Sequence, residues 1–263
     1  MTVSADGFVF AERTSDDFGL IICEFDDSSD SDSTSQVEFS LINSPIQNKW
    51  YKSGNSNYTE ALAFSFSVAK DDFSAIDAYE YSAIARWLVR KDDFKDFMLT
   101  RRDYDNIHFY AQLNVSPIEI GGNIVGIDIE GITNAPFGFS ALETYTFDTN
   151  DGTTFSFSDN SDEIGYIYPD LKITVRTGGD ISLLNQTENR AFTLKNCVAN
   201  EVITIDGKTL QIDSTAVSHN IYEDSNYQYF RIVNDYDKRK NTIVITGDCT
   251  VEMKYRPIRK VVI

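Results

Sequence analysis

Apolar positions recur along this chain with two different spacings, and only one stretch carries the helical one. Between Ser74 and Asn106, Ile76, Tyr79, Ala83, Ile84, Trp87 and Leu88 fall at steps of three and four, which places them on one face of a helix. Ser74 with Asp77 fits a capping box, and so does Asp77 with Glu80, so the start lies at one or the other. The basic cluster Arg86, Arg90 and Lys91 suits the negative end of the helix dipole and marks the end. The spacing thus predicts one main helix near residues 75–90, with a short aromatic return at Phe94 and Phe97. Trp87 and Leu88 are its expected anchor in the core of a small sheet.

Elsewhere the period is two. Gly7–Phe10 and Phe18–Phe25 read as strands of a hairpin around the turn Arg13–Asp17. Val37–Ile42 and Glu60–Ala69 are again strands, with Leu62, Phe64, Phe66 and Val68 alternating with small residues in the second. Asn48–Tyr58 is polar and aromatic, a long loop or edge excursion. Ile107–Leu113 and Asn123–Ile132 follow; in the latter Val125, Ile127 and Ile129 point one way and Asp128 and Glu130 the other. Gly121–Gly122 makes the turn of a hairpin spanning Pro117–Glu130. Thr133–Pro136 then breaks the pattern, so a first domain closes at residues 135–145.

Beyond Tyr145 short strands recur between glycine turns: Thr153–Ser158, Leu171–Arg176, Asp180–Asn185, Arg190–Asn196, Glu201–Asp206, Gln228–Val233, Asn241–Thr246 and Thr250–Tyr255. No helical period appears there, and strands at this spacing predict a β-sandwich. The expected fold class is therefore mainly β. A β-rich α+β domain with one main helix occupies residues 1–140, and a β-sandwich occupies 141–263.

Composition narrows the function. Of 263 residues, 41% are hydrophobic and 13% aromatic, enough for a folded core. The formal net charge of −18 repels nucleic-acid phosphates and anionic membranes, and no basic run offsets it. Direct nucleic-acid recognition and membrane insertion are therefore not expected, and no stretch is apolar for long enough to span a bilayer. The N-terminus lacks the basic start and apolar core of a signal peptide. Cys23, Cys197 and Cys249 are odd in number with no CxxC pair, which reads as buried or idle thiols made in a reducing cytosol. The segment Asp26–Gln36 has no apolar residue and is read as a solvated loop. Its Asp/Ser alternation offers oxygens to calcium, but it lacks the turn glycine and closing Glu of an EF-hand loop.

Candidate chemistry is sparse. His108 and His219 are the only histidines, and His108 sits in a strand pattern that suits a structural role. No nucleophile elbow, zinc-protease, P-loop or dinucleotide motif occurs. The pairs Asp71–Asp72 and Asp92–Asp93 fit a solvated face better than the acid and base of a glycosidase. No catalytic, cofactor-binding or metal-binding residue is nominated, and an enzyme is not expected. Sugar binding is the stronger rival, as in a carbohydrate-binding module of a cell-surface adhesin. Both tryptophans, Trp50 and Trp87, lie in the first domain, however, leaving Tyr222, Tyr227, Tyr229 and Phe230 as stacking candidates in the sandwich.

Taken in order, several pieces resemble the distal tail proteins of long-tailed siphophages. They are the opening Gly7–Phe10 and Asp17–Phe25 segments, the strand Tyr58–Ser67, and the helix ending Arg86–Trp87–Leu88 with Asp103–Ile107 behind it. The Gly121–Gly122 hairpin and the exit Asn134–Phe137 follow. In the second domain Tyr168–Ile173, Leu184–Thr187 and Asn200–Gly207 resemble the family's galectin-like half. The resemblance implies a virion protein of the tail tip or baseplate, synthesised in the host cytoplasm. It implies a homohexameric ring formed by the first domain, whose partners are the tail tube protein, a tail-tip hub or tail-associated protein, and a receptor-binding protein in host attachment. An acidic bore in such a ring would let DNA pass without sticking. The family brings no catalytic residues. The galectin sugar motif is missing, since His219–Asn220 is not followed by Asn-Pro-Arg and the stacking Trp is absent.

Overall fold

The computed structural model describes residues 6–23, 41–44, 49–52, 58–100, 107–150, 152–235 and 239–260. The Asp26–Gln36 segment, the Asp103–Asn106 turn and the side chain of Trp50 lie outside the described residues. The fold is mainly β, and the chain divides into two compact units, residues 1–140 with 259–263, and residues 141–258.

The first unit contains β1 (Gly7–Phe10), β2 (Arg13–Thr14), β3 (Leu20–Cys23), β4 (Leu41–Ser44), β5 (Lys49–Lys52), β6 (Ala63–Lys70), α1 (Ala78–Leu88), β7 (Lys95–Thr100), β8 (His108–Ile120), β9 (Asn123–Thr133) and β10 (Gly138–Phe139). One antiparallel sheet runs β2-β1-β7-β8-β9-β6-β3, with β10 added at His108 through Phe139. Strands β4 and β5 form a separate hairpin, so the Asn48–Tyr58 stretch contains a strand where a loop or edge excursion was expected.

Helix α1 begins at Ala78 because Asp77 caps it. The Asp77 carboxylate accepts from the N–H groups of Tyr79 and Glu80, and Glu80 accepts from the Asp77 N–H at 2.9 Å. Of the two possible caps the Asp77/Glu80 box is the one formed. Its buried face is Ile84, Trp87 and Leu88. Tyr79 is 87% exposed, against expectation. Five residues from Ile84 at about 100° each, it lies roughly 140° around the helix from the buried stripe. Ile76 is buried as expected, but ahead of the helix, where it bridges Ile124. The Trp87 indole, 2% exposed, stacks on Phe8 at 5.4 Å and Phe18 at 4.6 Å, and its Nε1–H donates to the Phe10 carbonyl at 2.8 Å.

One expected pairing differs, and a second extends further than expected. The strands Gly7–Phe10 and Leu20–Cys23 do not form a hairpin: β1 pairs with β2 and β7, and β3 with β6. The chain runs back along β1 only for Arg13–Thr14, and then a 3-10 turn, Ser15–Phe18, capped by Thr14 and Asp17, leads it to β3. The Gly121–Gly122 hairpin forms, with φ of 60° and 82° at its two glycines, the left-handed pair that a tight two-residue turn needs. It runs further than expected, from Ile120 opposite Asn123 to Ala111 opposite Thr133. Its register skips Val125 between the pairs Ile118–Gly126 and Glu119–Ile124. That bulge shifts the alternation, so Ile124, not Val125, joins Ile127 and Ile129 against the core.

The second unit contains β11 (Glu143–Thr149), β12 (Thr153–Ser158), β13 (Gly165–Ile167), β14 (Asp170–Val175), β15 (Gly179–Asn185), β16 (Arg190–Cys197), β17 (Val202–Ile205), β18 (Ile212–Ser214), the one-turn α2 (Ile221–Asp224), β19 (Ile232–Asn234), β20 (Lys240–Thr246), β21 (Cys249–Tyr255) and β22 (Ile258–Arg259), the last residue of which belongs to the first unit. Sheets β11-β21-β14-β17-β18 and β12-β20-β15-β16 share one core that includes Ile173, Val251 and Ile203 from one and Leu183, Phe192 and Ile245 from the other. This is a β-sandwich. Strands β11, β13 and β18 and the turn α2 were not anticipated, and the expected Gln228–Val233 strand is confined to Ile232–Asn234. Arg176 ties the end of β14 to its neighbours: it donates to Asp248 at 2.6 Å, to Asp148, and to the carbonyl of Thr149.

Candidate functional site

Alternation buries one side of the first unit's sheet under α1 and turns the other side outward. Phe64, Leu113 and Ile129 join the buried cluster with Trp87 and Leu88. Their neighbours line up in cross-strand rows on the opposite face. Ala63 lies beside Ile132 and then Gln112; Ser65 beside Glu130 and then Asn114; Ser67 beside Asp128 and then Ser116. Ala63, Ser65, Asn114, Ser116, Asp128 and Glu130 are exposed, and Ile132 is 49% exposed despite being a large aliphatic. Antiparallel sheets tolerate one wet face, so exposure alone needs no partner.

A shallow cleft of about 410 Å³ opens over these rows, lined by Ala63, Ser65, Gln112, Asn114, Glu130 and Ile132, with Arg90 at its margin and Phe64, Leu113 and Gly131 contributing from below. Gly131 is required there. A Cβ at that position would stand 2.2 Å from Phe64 Cζ, so the ring covers the glycine backbone across the β6–β9 pair. The cleft combines one cation, one carboxylate, amides and an aliphatic side chain. The alternation of Asp128 and Glu130 with apolar neighbours signals this outward face in the sequence; the cleft itself has no sequence signal.

The histidines are placed as follows. His108, at the start of β8, bonds through Nδ1 to Asp96 on β7 at 2.9 Å. His219, just before α2, has a fully buried side chain; its Nδ1 is 2.6 Å from Glu201 Oε1, which also accepts from the Ser214 hydroxyl. Ser214 therefore bonds to the carboxylate and not to the imidazole, so serine, histidine and carboxylate do not follow the order of a nucleophilic relay. His219 Nε2 is buried and makes no hydrogen bond; Asp224 Oδ2 stands 3.4 Å away. Burial pushes the Glu201 carboxyl up, yet hydrogen bonds from Ser214, the Val198 N–H and His219 outweigh it and hold the group below its ordinary value.

All three cysteines are free, Cys197 and Cys249 buried and Cys23 partly so. Burial, with Glu201 beside it, pushes the Cys197 thiol up to about 12. Asp71, Asp72, Asp92 and Asp93 are exposed, with Asp92 paired to Lys95 at 2.7 Å. Among the stacking candidates, Tyr222 and Tyr227 are 57% and 49% exposed. Tyr229 instead stacks on Phe192, and Phe230 is core. No helix among the described residues is long and apolar enough to cross a membrane.

Two family matches divide the chain as the fold does. Residues 3–135 match a family described as phage tail protein N-terminal domain, and residues 137–255 one described as phage tail C-terminal domain. This chain belongs to the phage tail proteins. A relative from Bacillus subtilis strain 168, the SPbeta prophage-derived uncharacterized protein YomH, is 25% identical to this tail protein over 183 residues, 69% of this chain and 70% of its own length. Among solved structures, SPP1 Dit, described as a paradigm of the hub adsorption apparatus in phages infecting Gram-positive hosts, superposes with a TM-score of 0.61. The match covers 95% of this chain and 98% of that one at 9% identity. At that identity the likeness concerns the fold, and it spans both units of the tail protein.

Proposed function

We propose that this tail protein is a distal tail protein, a non-catalytic hub that closes into a homohexameric ring through its first unit and joins the tail tube to the host-recognition parts of the tail tip. The sandwich unit, galectin-like in this reading, holds the neighbouring tip components. The observation that carries the reading is the likeness to SPP1 Dit through nearly the whole of both chains, in the same order as the two tail-family matches. The first unit also offers what ring closure requires. Its sheet ends on the edge strands β2 and β3, and its outward face carries the Ile132–Glu130–Arg90 cleft.

Native mass spectrometry and negative-stain electron microscopy of the full chain at micromolar concentration test the proposal. Closed six-membered rings are the expected result. A protein that stays monomeric across that range, and that instead binds glycans through Tyr222 and Tyr227, would overturn it in favour of a carbohydrate-binding module.

A further inference from the structure

Three chemically unlike side chains meet inside the second unit. Cys197 ends β16, Glu201 precedes β17, and His219 leads into α2. The thiol, a carboxylate oxygen and an imidazole nitrogen all lie within 4.8 Å of one another, and all three residues are buried. The fold brings them together through two tight connections. Asn196 and Asn200 adopt left-handed backbone, with φ of 53° and 64°, to turn β16 into β17, and the β17–β18 pair sets Ser214 opposite Ile203, from where a turn closed by the His219 N–H on the Ala216 carbonyl brings in the imidazole.

We propose that Cys197, Glu201 and His219 form a binding site for a divalent transition-metal ion of the zinc class. Sulfur, nitrogen and oxygen donors in one buried cluster are the set that zinc takes in preference to calcium or magnesium, at about 2.3 Å for sulfur and 2.0–2.2 Å for nitrogen and oxygen. To admit such an ion His219 Nδ1 and Glu201 Oε1, now 2.6 Å apart, would open to about 3.3 Å, while the thiol, within 4.8 Å of both, would close on the same centre. Charge balances as well. A divalent cation replaces the thiol proton, which leaves to water, and meets one thiolate and one carboxylate, so a centre with no net charge replaces a buried anion.

The surroundings match those of a metal centre. The Ser214 hydroxyl and the Val198 N–H each hold an oxygen of the Glu201 carboxylate, as outer groups hold a ligating carboxylate. His219 Nε2, buried without a hydrogen bond, faces Asp224 Oδ2 at 3.4 Å, while Nδ1 lies on the side of Glu201. With Nδ1 on the metal, Nε2–H has the carboxylate partner that orients metal-bound histidines. Asp224 is itself anchored, accepting from the Asn196 side chain at 2.8 Å. A hydrogen-bonded Glu201–His219 pair without metal accounts for Nδ1, but it leaves Nε2 and the neighbouring thiol without a role.

The test uses the full chain, stripped of metal by chelation and then titrated with Co²⁺ and Zn²⁺. One equivalent per chain is expected, with a sulfur-to-cobalt charge-transfer band and a Zn²⁺-dependent rise in unfolding temperature. Cys197→Ala should abolish the band. Asp224→Asn, at the partly exposed rim, should weaken affinity about 10–100-fold with the circular dichroism spectrum unchanged. Wild-type protein that takes up neither ion at tenfold excess would overturn the proposal, and so would a Cys197→Ala variant that keeps both the band and the stoichiometry. The wild-type titration decides the matter even where the variant does not fold.

Discussion

Replacing Trp87 with alanine should cost the first unit about 4–6 kcal/mol. The indole is 2% exposed and lies against Phe8 and Phe18, with interplanar angles of 7° and 11°. Truncating a buried aromatic to alanine costs about 3–5 kcal/mol in transfer and cavity terms. The Phe10 carbonyl also loses the Nε1–H donor 2.8 Å away, a further cost of about 1 kcal/mol or more. Domains of this size hold about 5–15 kcal/mol in total, so the variant sits near the edge of folding. Trp87→Phe keeps the stacking and loses the donor, which places it between wild type and Trp87→Ala. Urea denaturation followed by circular dichroism measures the three, and light scattering measures self-association in the same samples. Association should fall only as far as the folded fraction falls. A Trp87→Ala protein with a wild-type midpoint would refute the packing argument. One that is well folded yet unable to associate would place the indole at an interface instead of in the core.

Two other perturbations follow from local geometry. Gly131→Ala should destabilise the first unit by about 1–3 kcal/mol in the same denaturation assay, because its Cβ would meet the Phe64 ring, itself stacked on Phe97 at 4.8 Å. A neutral result would mean that the ring has room to move. In the second unit the Arg176 guanidinium hydrogen-bonds to Asp148 and Asp248 and holds both carboxyls below their ordinary 3.8. A depressed folded-state pKa gives stability that is complete above 3.8 and is lost as pH falls through the lower folded values. Arg176→Met should therefore be less stable than wild type at neutral pH and converge with it in acid. Thermal melts across that range, with parallel curves for the two proteins, would show that the cluster contributes nothing.

What was legible in the sequence is what is local. The Asp77 cap, the Ile84–Trp87–Leu88 stripe and the Gly121–Gly122 turn each depend on residues within one or two turns of backbone, and each formed. The opening hairpin did not form, because β1 and β3 find their partners in β7 and β6, tens of residues away, and alternation does not encode the partner. The Val125 bulge was invisible for a related reason: Val125, Ile127 and Ile129 keep perfect alternation, while the extra residue is set by the strand opposite. Tyr79 shows the limit of counting steps of three and four, which admits residues on both flanks of a stripe. Cys197 and His219 stand out singly in the sequence, and Glu201 only as the start of a strand. Their convergence depends on two turns and a strand pair, and no short spacing between ligands announces it.

The outward face of the first sheet and the charge of the chain bear on each other. With a formal net charge of −18, copies of this protein repel at long range, so the cohesion of any assembly has to be local and short-ranged. Backbone groups at the β2 and β3 edges meet that condition, since their hydrogen bonds act only at contact. The Ile132 cleft meets it too, lined by both Arg90 and Glu130 in a chain that has 23 basic residues against 41 acidic ones. Asp128 and Glu130 stand in adjacent rows of the same face, and a partner that covered both would have to desolvate them or supply cations of its own. The apolar and backbone elements are thus the surfaces suited to a like copy, and the carboxylate rows suit water or a more basic neighbour in the tail.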